Sequence, residues 1–349
     1  MDLKKTIRTE LSELGEFGLI DHLTKSVTLK NASTIRGVGD DAAVINNVGK
    51  LTLVSTDLLV EGVHFDMTYT PLKHLGYKAV AVNISDIVAM NGVARQLLVG
   101  LSVSNRYSVE ALEELYEGIK QACRVYDVDL AGGDTTSSVS GMFLSITVIG
   151  EVDVEDVVYR NTAQENDLVC VTGDLGGAYM GLLLLEREKA AYKGDPHMQP
   201  DLSGYDYILS RQLKPEPRTD IIRLLDDIKV KPTAMIDISD GLGSEILHLC
   251  QDSGLGCRLF EEKIPIDATT INMAEEFKIN PVTAALNGGE DYELLFTISQ
   301  KDFEQIRLIP GISIIGHMTD KKEGTYLLTN DDQLIEIKAQ GWNALRRKV

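Results

Sequence analysis

The sequence contains little cysteine and no long apolar run. Its four cysteines show no CxxC spacing, and residues 1–20 lack the apolar core of a secretory signal. Asn83, Asp86 and Arg95 interrupt the apolar-rich segment 79–103, which therefore falls short of the ~18 apolar residues that a membrane span needs. These absences predict a cytoplasmic protein that does not enter a membrane.

Positive charge is also scarce. Lys and Arg together number 34 against 53 Asp and Glu, which gives a formal net charge of −19 at pH 7. Because so acidic a surface repels polyanions, we expect no nucleic acid partner. A phosphate-bearing ligand would need metal cations between its oxygens and the carboxylates of the protein.

Several common catalytic motifs are missing. The chain has neither a GxxxxGK[ST] phosphate loop nor the HRD and DFG motifs of a protein kinase. Its six histidines form no HExxH pattern, which argues against zinc, and no EF-hand loop pattern occurs. Gly37, Gly39 and Ala42 fit a loose GxGxxA pattern, but the segment that follows predicts strand, turn and strand where a dinucleotide fold needs a helix.

The length and composition indicate a soluble enzyme with about two domains, since the 349 residues are 44% hydrophobic and 25% charged. A charged, turn-prone stretch over 154–166 places the boundary, so we expect domains at 1–153 and 154–349. In the first half, apolar residues at three- and four-residue steps predict helices over 72–90 and 109–126. Runs rich in β-branched residues predict strands at 51–55, 97–103, 128–131 and 142–150.

The second half also alternates strands and helices. Helices are expected around 182–185 and 242–249, and the stretch 193–204 is expected to form a surface loop. The turn at residues 173–177, Gly-Asp-Leu-Gly-Gly, either aims backbone N–H groups at a phosphate or is a tight turn before a closely packed helix. Strands are predicted at 167–172, 233–236, 292–298, 312–317 and 325–328.

The most distinctive feature is a set of carboxylates beside Gly, Ser or Thr at the ends of apolar runs. One such acid alone usually caps a helix or forms a turn. Their recurrence instead favours a multi-Mg²⁺ site, which needs several hard oxygen ligands on rigid strand ends. The set comprises Asp40 and Asp41 in GVGDDAAV, Asp57 in VSTDLLVEGVHF, Asp86 in AVNISDIVAM, Asp134 in AGGDTT, Asp237 and Asp240 in MIDISDGLGSEI, and Glu290 and Asp291 in NGGEDYELLF.

A histidine follows the second of these motifs. His64 closes the apolar run after Asp57, so its ring either points into the same cleft or lies on the surface. The sequence alone leaves both alternatives open.

These motifs, in this order, resemble the thiamine-monophosphate kinase family, whose superfamily includes aminoimidazole ribonucleotide synthetase, selenophosphate synthetase and a hydrogenase maturation protein. The resemblance runs from GEFGLI at Gly15 to GWNAL near the C-terminus. It implies an α/β (α+β) fold with an N-terminal sheet domain that forms a homodimer and a C-terminal α/β domain that closes an active-site cleft. The implied reaction is ATP-dependent phosphorylation of thiamine phosphate to thiamine diphosphate.

The resemblance also assigns roles to individual positions. The implied Mg²⁺ ligands are Asp41, Ser55, Thr56, Asp57, Asp86, Asp134, Asp237 and Asp240. The implied ATP contacts are Gly133, Arg160, Ser239 and Tyr116. The implied thiamine phosphate contacts are His64, Glu290 and Trp342, the last offering an aromatic face to the cationic thiazolium or the pyrimidine.

The chain departs from the usual family pattern at three points. Asn91 stands where Gly is common, Ala94 where Pro is usual, and Arg211-Gln212 where the family often has Arg-His. None of these positions is an implied metal ligand, so the departures concern local geometry.

Other enzymes of the superfamily are the nearest alternatives. Selenophosphate synthetases carry a reactive Cys or selenocysteine near the N-terminus and the hydrogenase factor ends in Cys, whereas the first cysteine here is Cys123 and the sequence ends in Val349. Aminoimidazole ribonucleotide synthetase and a non-catalytic metal-binding scaffold remain as alternatives. His64 in GVHF and Glu290 in GGEDYELLF favour the thiamine enzyme, and the spread of the acids over both halves suits a substrate cleft.

The implied chemistry needs no general base. A phosphate ester has a second pKa near ~6, so the acceptor is mostly dianionic at neutral pH. The barrier lies in bringing two polyanions together, and in-line positioning and charge neutralisation lower it. We therefore expect direct transfer without a phosphoenzyme, with several Mg²⁺ ions between the acids and the phosphates and with Arg160 contacting ATP.

Overall fold

The computed structural model describes residues 22–36, 44–46, 49–195 and 200–338. The chain divides into two units, Met1–Ile87 with Val93–Asp153 and Val88–Gly92 with Val154–Val349. The short segment 88–92 belongs to the second unit because Met90 O accepts a hydrogen bond from Val158 N and Asn91 Nδ2 donates to Asp156 O.

A four-stranded sheet forms the framework of the first unit. The strand order is β3-β6-β4-β5, in which β4 and β5 are parallel and the other pairs are antiparallel. The strands are β3 (Leu51–Val60), β4 (Val93–Val103), β5 (Asp129–Ser137) and β6 (Met142–Val152), and a separate two-stranded sheet pairs β1 (Thr34–Arg36) with β2 (Val44–Ile45).

Two helices, the largely buried α1 (Leu72–Ala89) and the amphipathic α2 (Val109–Tyr126), cover one face of this sheet. Leu75 on α1 and Leu115 on α2 are fully buried, as are Ile146 and Val148 on the central strand β6. Because side chains alternate along a strand, the neighbouring residues of β6 point to the opposite face. Helix α2 begins after Ser108, whose side chain accepts a hydrogen bond from Ala111 N.

The opposite face of the sheet is exposed at β3. Val54 and Leu58 are 65% and 55% exposed, and they alternate with Ser55 and Asp57 on the helix side. Among the described strands, β3 pairs only with β6. The first unit therefore leaves an apolar strip on an edge strand.

A seven-stranded sheet organises the second unit, in the order β13-β12-β9-β11-β7-β10-β8. Only β12 and β9 are parallel neighbours, and every residue of the inner strand β10 is buried. The strands are β7 (Leu168–Thr172), β8 (Ala234–Asp237), β9 (Gly256–Phe260), β10 (Leu294–Ile298), β11 (Ile312–Thr319), β12 (Thr325–Leu328) and β13 (Leu334–Glu336).

Helices pack around this sheet in two groups. One apolar core includes Ile246 and Leu249 of α6 with the strands, and a second joins α3, α4 and α7 through Met180, Ile208 and Met273. The helices are α3 (Gly177–Gly194), α4 (Asp206–Leu213), α5 (Thr219–Asp227), α6 (Leu242–Ser253), α7 (Ala268–Glu276), α8 (Pro281–Asn287) and α9 (Phe303–Ile306). None of the helices described is long and apolar enough to cross a bilayer.

The mixed α/β fold class is confirmed, and the strongest patterns give the closest boundaries. The helix predicted over 109–126 is observed as Val109–Tyr126, and the strand predicted at 51–55 continues to Val60. The helix expected around 182–185 spans Gly177–Gly194, so the predicted loop 193–204 begins too early, and residues 196–199 lie outside the described residues. Strands β1, β9 and β13 and five short helices, α4, α5, α7, α8 and α9, were not predicted.

The contact between α1 and α2 provides a test of the packing. A Cβ on Gly118 would lie 1.9 Å from Lys73 O, so Gly118→Ala forces the helices apart. Ala normally stabilises a helix by about 1 kcal/mol relative to Gly, but we expect this variant to lose about 1–3 kcal/mol. Urea denaturation measures the change. Gly194→Ala is the control because nothing lies within 4 Å of its Cβ position, and equal effects of the two variants would contradict the packing.

Candidate functional site

Two acids of the first unit meet on the helix side of the sheet. Asp57 lies on β3, and Asp86 lies near the end of α1, where it accepts a hydrogen bond from Ser55 Oγ. Asp57 N donates to Asn83 Oδ1 at 2.9 Å, and Asn83 Nδ2 donates to Ala79 O at 2.9 Å. Asn83 is fully buried, so its amide fixes β3 against α1 and holds the two carboxylates near each other.

The environment of this pair disfavours negative charge. Burial, and then the neighbouring charge of Asp86, raise the pKa of Asp57 to about 6. Burial also raises the pKa of Asp86, and the hydrogen bond from Ser55 opposes that shift. A cation beside the two carboxylates would relieve both effects.

The donor set of the pair fits Mg²⁺. Mg²⁺ prefers oxygen ligands and is often held by one or two carboxylates together with water and substrate phosphates. Across the described ranges, no group of three or more His, Cys, Asp or Glu side chains is placed to hold a metal ion. A site built on Asp57 and Asp86 therefore needs further oxygens of another kind, such as the Ser55 hydroxyl, water or the substrate phosphates.

The strand register separates two predicted ligands from this pair. Asp57, Ile146, Val99 and Gly133 form one row across the sheet, and Asp134 lies in the next row. Successive rows point to opposite faces, so Asp134 faces away from the helices, about 14 Å or three strand spacings from β3.

Thr56 lies on that other face too, since its hydroxyl is 3.0 Å from Thr147 Oγ1. Within this unit the structure thus brings together Ser55, Asp57 and Asp86, and it does not bring Thr56 or Asp134 to them.

Two predicted ATP contacts lie near the same strands. A Cβ on Gly133 would lie 2.0 Å from Val99 O, so only glycine allows β5 to approach β4 this closely. Tyr116 on α2 is buried against the sheet, where its hydroxyl contacts Thr135 and burial raises its pKa to about 12. Tyr116 is therefore a core residue in this structure.

His64 is half-buried in the turn that follows β3. Its Nδ1 accepts a hydrogen bond from Val60 N at 3.0 Å, so the neutral ring carries its proton on Nε2. This bond fixes the orientation of the ring, and the half-buried position does not support the fully surface-exposed alternative.

In the second unit, two motifs pack against each other. The turn after β8 carries Ser239, and Ser239 O accepts from Glu290 N at 2.7 Å. Ile238 bonds with the same loop on both sides, donating to Glu293 O and accepting from Tyr292 N at 2.8 Å each. The DISD and GGED motifs, about 50 residues apart in sequence, therefore form one rigid loop pair.

Acidic side chains gather at this loop pair. Burial raises the pKa of Asp240, the charge of Glu290 adds to the shift, and His248 opposes it. Glu245 in the first turn of α6 is 2% exposed, and its Oε1 accepts from Asp240 N at 3.2 Å. Burial, with smaller contributions from Asp240 and Asp237, raises the pKa of Glu245 to about 8. Glu245 was not predicted as a site residue, although a Glu that reaches back from a first helical turn is a known capping pattern.

A buried ion network, formed by Glu293 with Arg211 and Arg218, lies next to the GGED loop. Glu293 Oε1 accepts from Arg211 at 2.8 Å, and Glu293 Oε2 accepts from Arg218 and from Thr172 at 2.6 Å each. The two arginines neutralise the buried carboxylate, so this acid has a structural role. Tyr292, the residue before Glu293, has a left-handed φ of 51°.

Asp291 resolves the role of the glycine-rich turn at 173–177. Its carboxylate accepts hydrogen bonds from Gly176 N at 2.7 Å and Ala178 N at 3.3 Å, and burial raises its pKa to about 7. The N–H groups that a phosphate would need are thus bonded to a side chain. These two bonds support the tight-turn alternative over the phosphate-binding one.

The remaining predicted contacts have partners within the second unit. Arg160 pairs with Asp252 at 2.7 Å and is about half exposed. Glu290 Oε2 accepts from Gln212 Nε2 at 2.7 Å. Asp41 and Trp342 lie outside the described residues.

Known proteins share both the motifs and the architecture. A family model for AIR synthase related protein, N-terminal domain, matches residues 39–152. The thiamine-monophosphate kinase of Bacillus subtilis (strain 168) is 34% identical over 336 residues, which cover 95% of this chain and 99% of that protein. The Aquifex aeolicus (strain VF5) enzyme is 37% identical over 82% of this chain and 87% of its own length. The chain belongs to the thiamine-monophosphate kinase family.

Solved structures agree with this assignment. A structure described as AaThiL complexed with AMPPCP and TMP has a TM-score of 0.73 at 32% identity and covers 97% of this chain and 99% of its own. The thiamine-monophosphate kinase of Stenotrophomonas maltophilia K279a has a TM-score of 0.76 at 29% identity, covering 93% and 98%. Both matches extend over both units of the chain.

The three departures from the thiamine-monophosphate kinase pattern fit their local geometry. Asn91 has a φ of 60°, a left-handed conformation that Asn tolerates best after Gly. Ala94 is buried at the start of β4, opposite Gly150. The side-chain amide of Gln212 donates a hydrogen bond to Glu290, which the family resemblance implies as a substrate-binding residue.

The ion network yields a stability prediction. Arg211→Met leaves the buried Glu293 with one cation fewer, so we expect a loss of about 3–5 kcal/mol in the free energy of unfolding. Arg307→Met breaks an exposed pair with Glu304 and is the control, with an expected loss below about 1 kcal/mol. Guanidinium denaturation of both variants measures the difference. Equal losses would show that the buried pair does not stabilise the fold.

Proposed function

We propose that this chain transfers the γ-phosphoryl group of ATP to thiamine phosphate, giving ADP and thiamine diphosphate. The observation that carries the proposal is the likeness to a structure described as complexed with AMPPCP and TMP, which extends over 97% of this chain at 32% identity. The alternatives of a different superfamily enzyme and of a non-catalytic scaffold have no comparable support. The phosphate acceptor is already dianionic near neutral pH, so no residue needs to act as a general base.

We assign Asp57 and Asp86 as the principal Mg²⁺ ligands of the first unit, with the Ser55 hydroxyl beside them. Bound there, Mg²⁺ would neutralise and align the phosphate oxygens during transfer. Asn83 keeps Asp57 in place through its bond to the backbone of β3. The assignments of Asp41, Thr56, Asp134, Asp237 and Asp240 as ligands remain predictions from the family resemblance.

We assign His64, Glu290 and Trp342 to thiamine phosphate, and Gly133, Ser239 and Arg160 to ATP, with Tyr116 nearby as a core residue. Hydrogen bonds from Val60 N and from Gln212 already orient His64 and Glu290. The exposed ion pair of Arg160 with Asp252 contributes little to stability. Arg160 can therefore leave Asp252 and contact ATP at a small cost in free energy. The neutral His64 ring carries its proton on Nε2 because Val60 N donates to Nδ1.

We further propose that the first unit forms a homodimer through the exposed face of its sheet. Val54 and Leu58 form an apolar strip on β3, and Thr52 and Thr56 lie on the same face. An exposed apolar edge strand is a typical association surface, and a second copy of the chain would cover the same strip by symmetry. We place the enzyme in the cytoplasm, with no nucleic acid or membrane partner, in line with its net charge of −19.

An assay of thiamine diphosphate formation from ATP, Mg²⁺ and thiamine phosphate tests the reaction. We expect product from the wild type and at least about a 100-fold lower kcat for Asp57→Asn, because the substitution removes a carboxylate ligand. Asp127→Asn is the control, since Asp127 is an exposed helix C-cap whose left-handed φ of 57° suits Asn. No product from the wild type would refute the function, and a wild-type rate in Asp57→Asn would refute the ligand role.

The dimer is tested by sedimentation velocity. We expect a dimeric wild type and a monomeric Val54→Lys/Leu58→Lys double variant, because two buried ammonium groups per copy oppose association. Leu308→Lys is the control because Leu308 is 72% exposed in the second unit. A monomeric wild type, or a double variant that remains dimeric, would contradict the proposed surface.

A further inference from the structure

The last turn of α4 contacts the loop that carries Glu290. Gln212 is only 5% exposed, and its Nε2 donates a hydrogen bond of 2.7 Å to Glu290 Oε2. The two residues are 78 positions apart in sequence, so the contact depends on the tertiary fold. A buried amide that donates to a carboxylate is a strong and directional hydrogen bond.

Helix α4 is held rigidly where this contact forms. A Cβ on Gly181 of α3 would lie 2.1 Å from Ile208 O, so the two helices approach as closely as their backbones allow. Arg211, next to Gln212, donates to Glu293 at 2.8 Å and to Asp174 O at 3.0 Å. The amide of Gln212 is thus fixed by packing from α3 and by the ion network behind the loop.

The backbone of Glu290 is fixed as well. Glu290 has a left-handed φ of 70°, and its N–H donates to Ser239 O at 2.7 Å. With the backbone held, the direction of the Glu290 carboxylate depends on its side-chain partners. Gln212 supplies one of these from the side of α4.

We propose that Gln212 is a positioning residue that orients the Glu290 carboxylate toward thiamine phosphate. This inference rests on the proposed function and on the assignment of Glu290 to the substrate. The amide of Gln212 is neutral, so it orients the carboxylate without cancelling its negative charge. At Glu293, by contrast, the two guanidinium groups do cancel the charge of the carboxylate. The charge of Glu290 is therefore retained for the cationic or N–H-bearing part of the substrate.

The test is the steady-state kinetics of Gln212→Met, which keeps the side-chain volume and removes the amide. We expect the KM for thiamine phosphate to rise about tenfold, equivalent to about 1.4 kcal/mol, while the KM for ATP stays within about twofold. Gln251→Met is the control, since Gln251 is exposed on α6. Gln212→Glu, which places a second carboxylate beside Glu290, is a second variant and is expected to raise the same KM further.

A double-variant cycle separates positioning from a general effect on folding. In a Glu290→Ala background, Gln212→Met has no further effect on the KM for thiamine phosphate if it acts only through Glu290. An unchanged KM in both single Gln212 variants, or a full additional effect without Glu290, would overturn the inference while the kinase function stands. Lack of thiamine diphosphate formation by the wild type would overturn the proposed function and this inference together.

Discussion

The proposed site depends on how its buried carboxylates are compensated, and the Asp57–Asp86 pair differs in this from Glu293. In the second unit, Glu293 is held by the guanidinium groups of Arg211 and Arg218. In the first unit, the partners that hold the Asp57–Asp86 pair, Ser55 and Asn83, are neutral. Burying like charges beside neutral partners is costly unless a cation is added. A buried carboxylate thus supports the fold at Glu293, whereas the two at Asp57 and Asp86 favour the binding of a cation.

This contrast connects the composition to the proposed chemistry. A chain with a net charge of −19 would repel ATP and thiamine phosphate unless cations lay between them and the protein. The rigid surroundings of Asp57 and of Glu290 keep both carboxylates in place before any ligand arrives, which lowers the cost of ordering them on binding. In both places a neutral side-chain amide holds the acidic residue in position without neutralising its carboxylate: Asn83 holds Asp57, and Gln212 holds Glu290.

Much of this arrangement was predictable from local patterns. The period of apolar residues predicted both ends of α2 correctly, and the motifs singled out Asp57, Asp86 and Glu290 as candidate site residues. The three-residue spacing of Asn83 and Asp86 also places them near one face of α1. These features depend on short stretches of sequence, in which the local pattern of residues determines the secondary structure.

Features that depend on contacts between residues far apart in the sequence were not predictable. The face occupied by Asp134 follows from the register of β5 against β4. The bond of Asp291 to the turn before α3 joins residues 115 positions apart, and no local pattern distinguishes that turn from a phosphate loop. Helices α4 and α5 have eight and nine residues, too few for their period to stand out.

Anomalous diffraction from crystals grown with Mn²⁺ and a non-hydrolysable ATP analogue tests the central claim most directly. The account predicts a Mn²⁺ peak in contact with the carboxylates of Asp57 and Asp86, at about 2.1 Å from their oxygens. It also predicts that this peak disappears in Asp86→Asn crystals. Bound nucleotide with no metal at these two carboxylates would contradict the account.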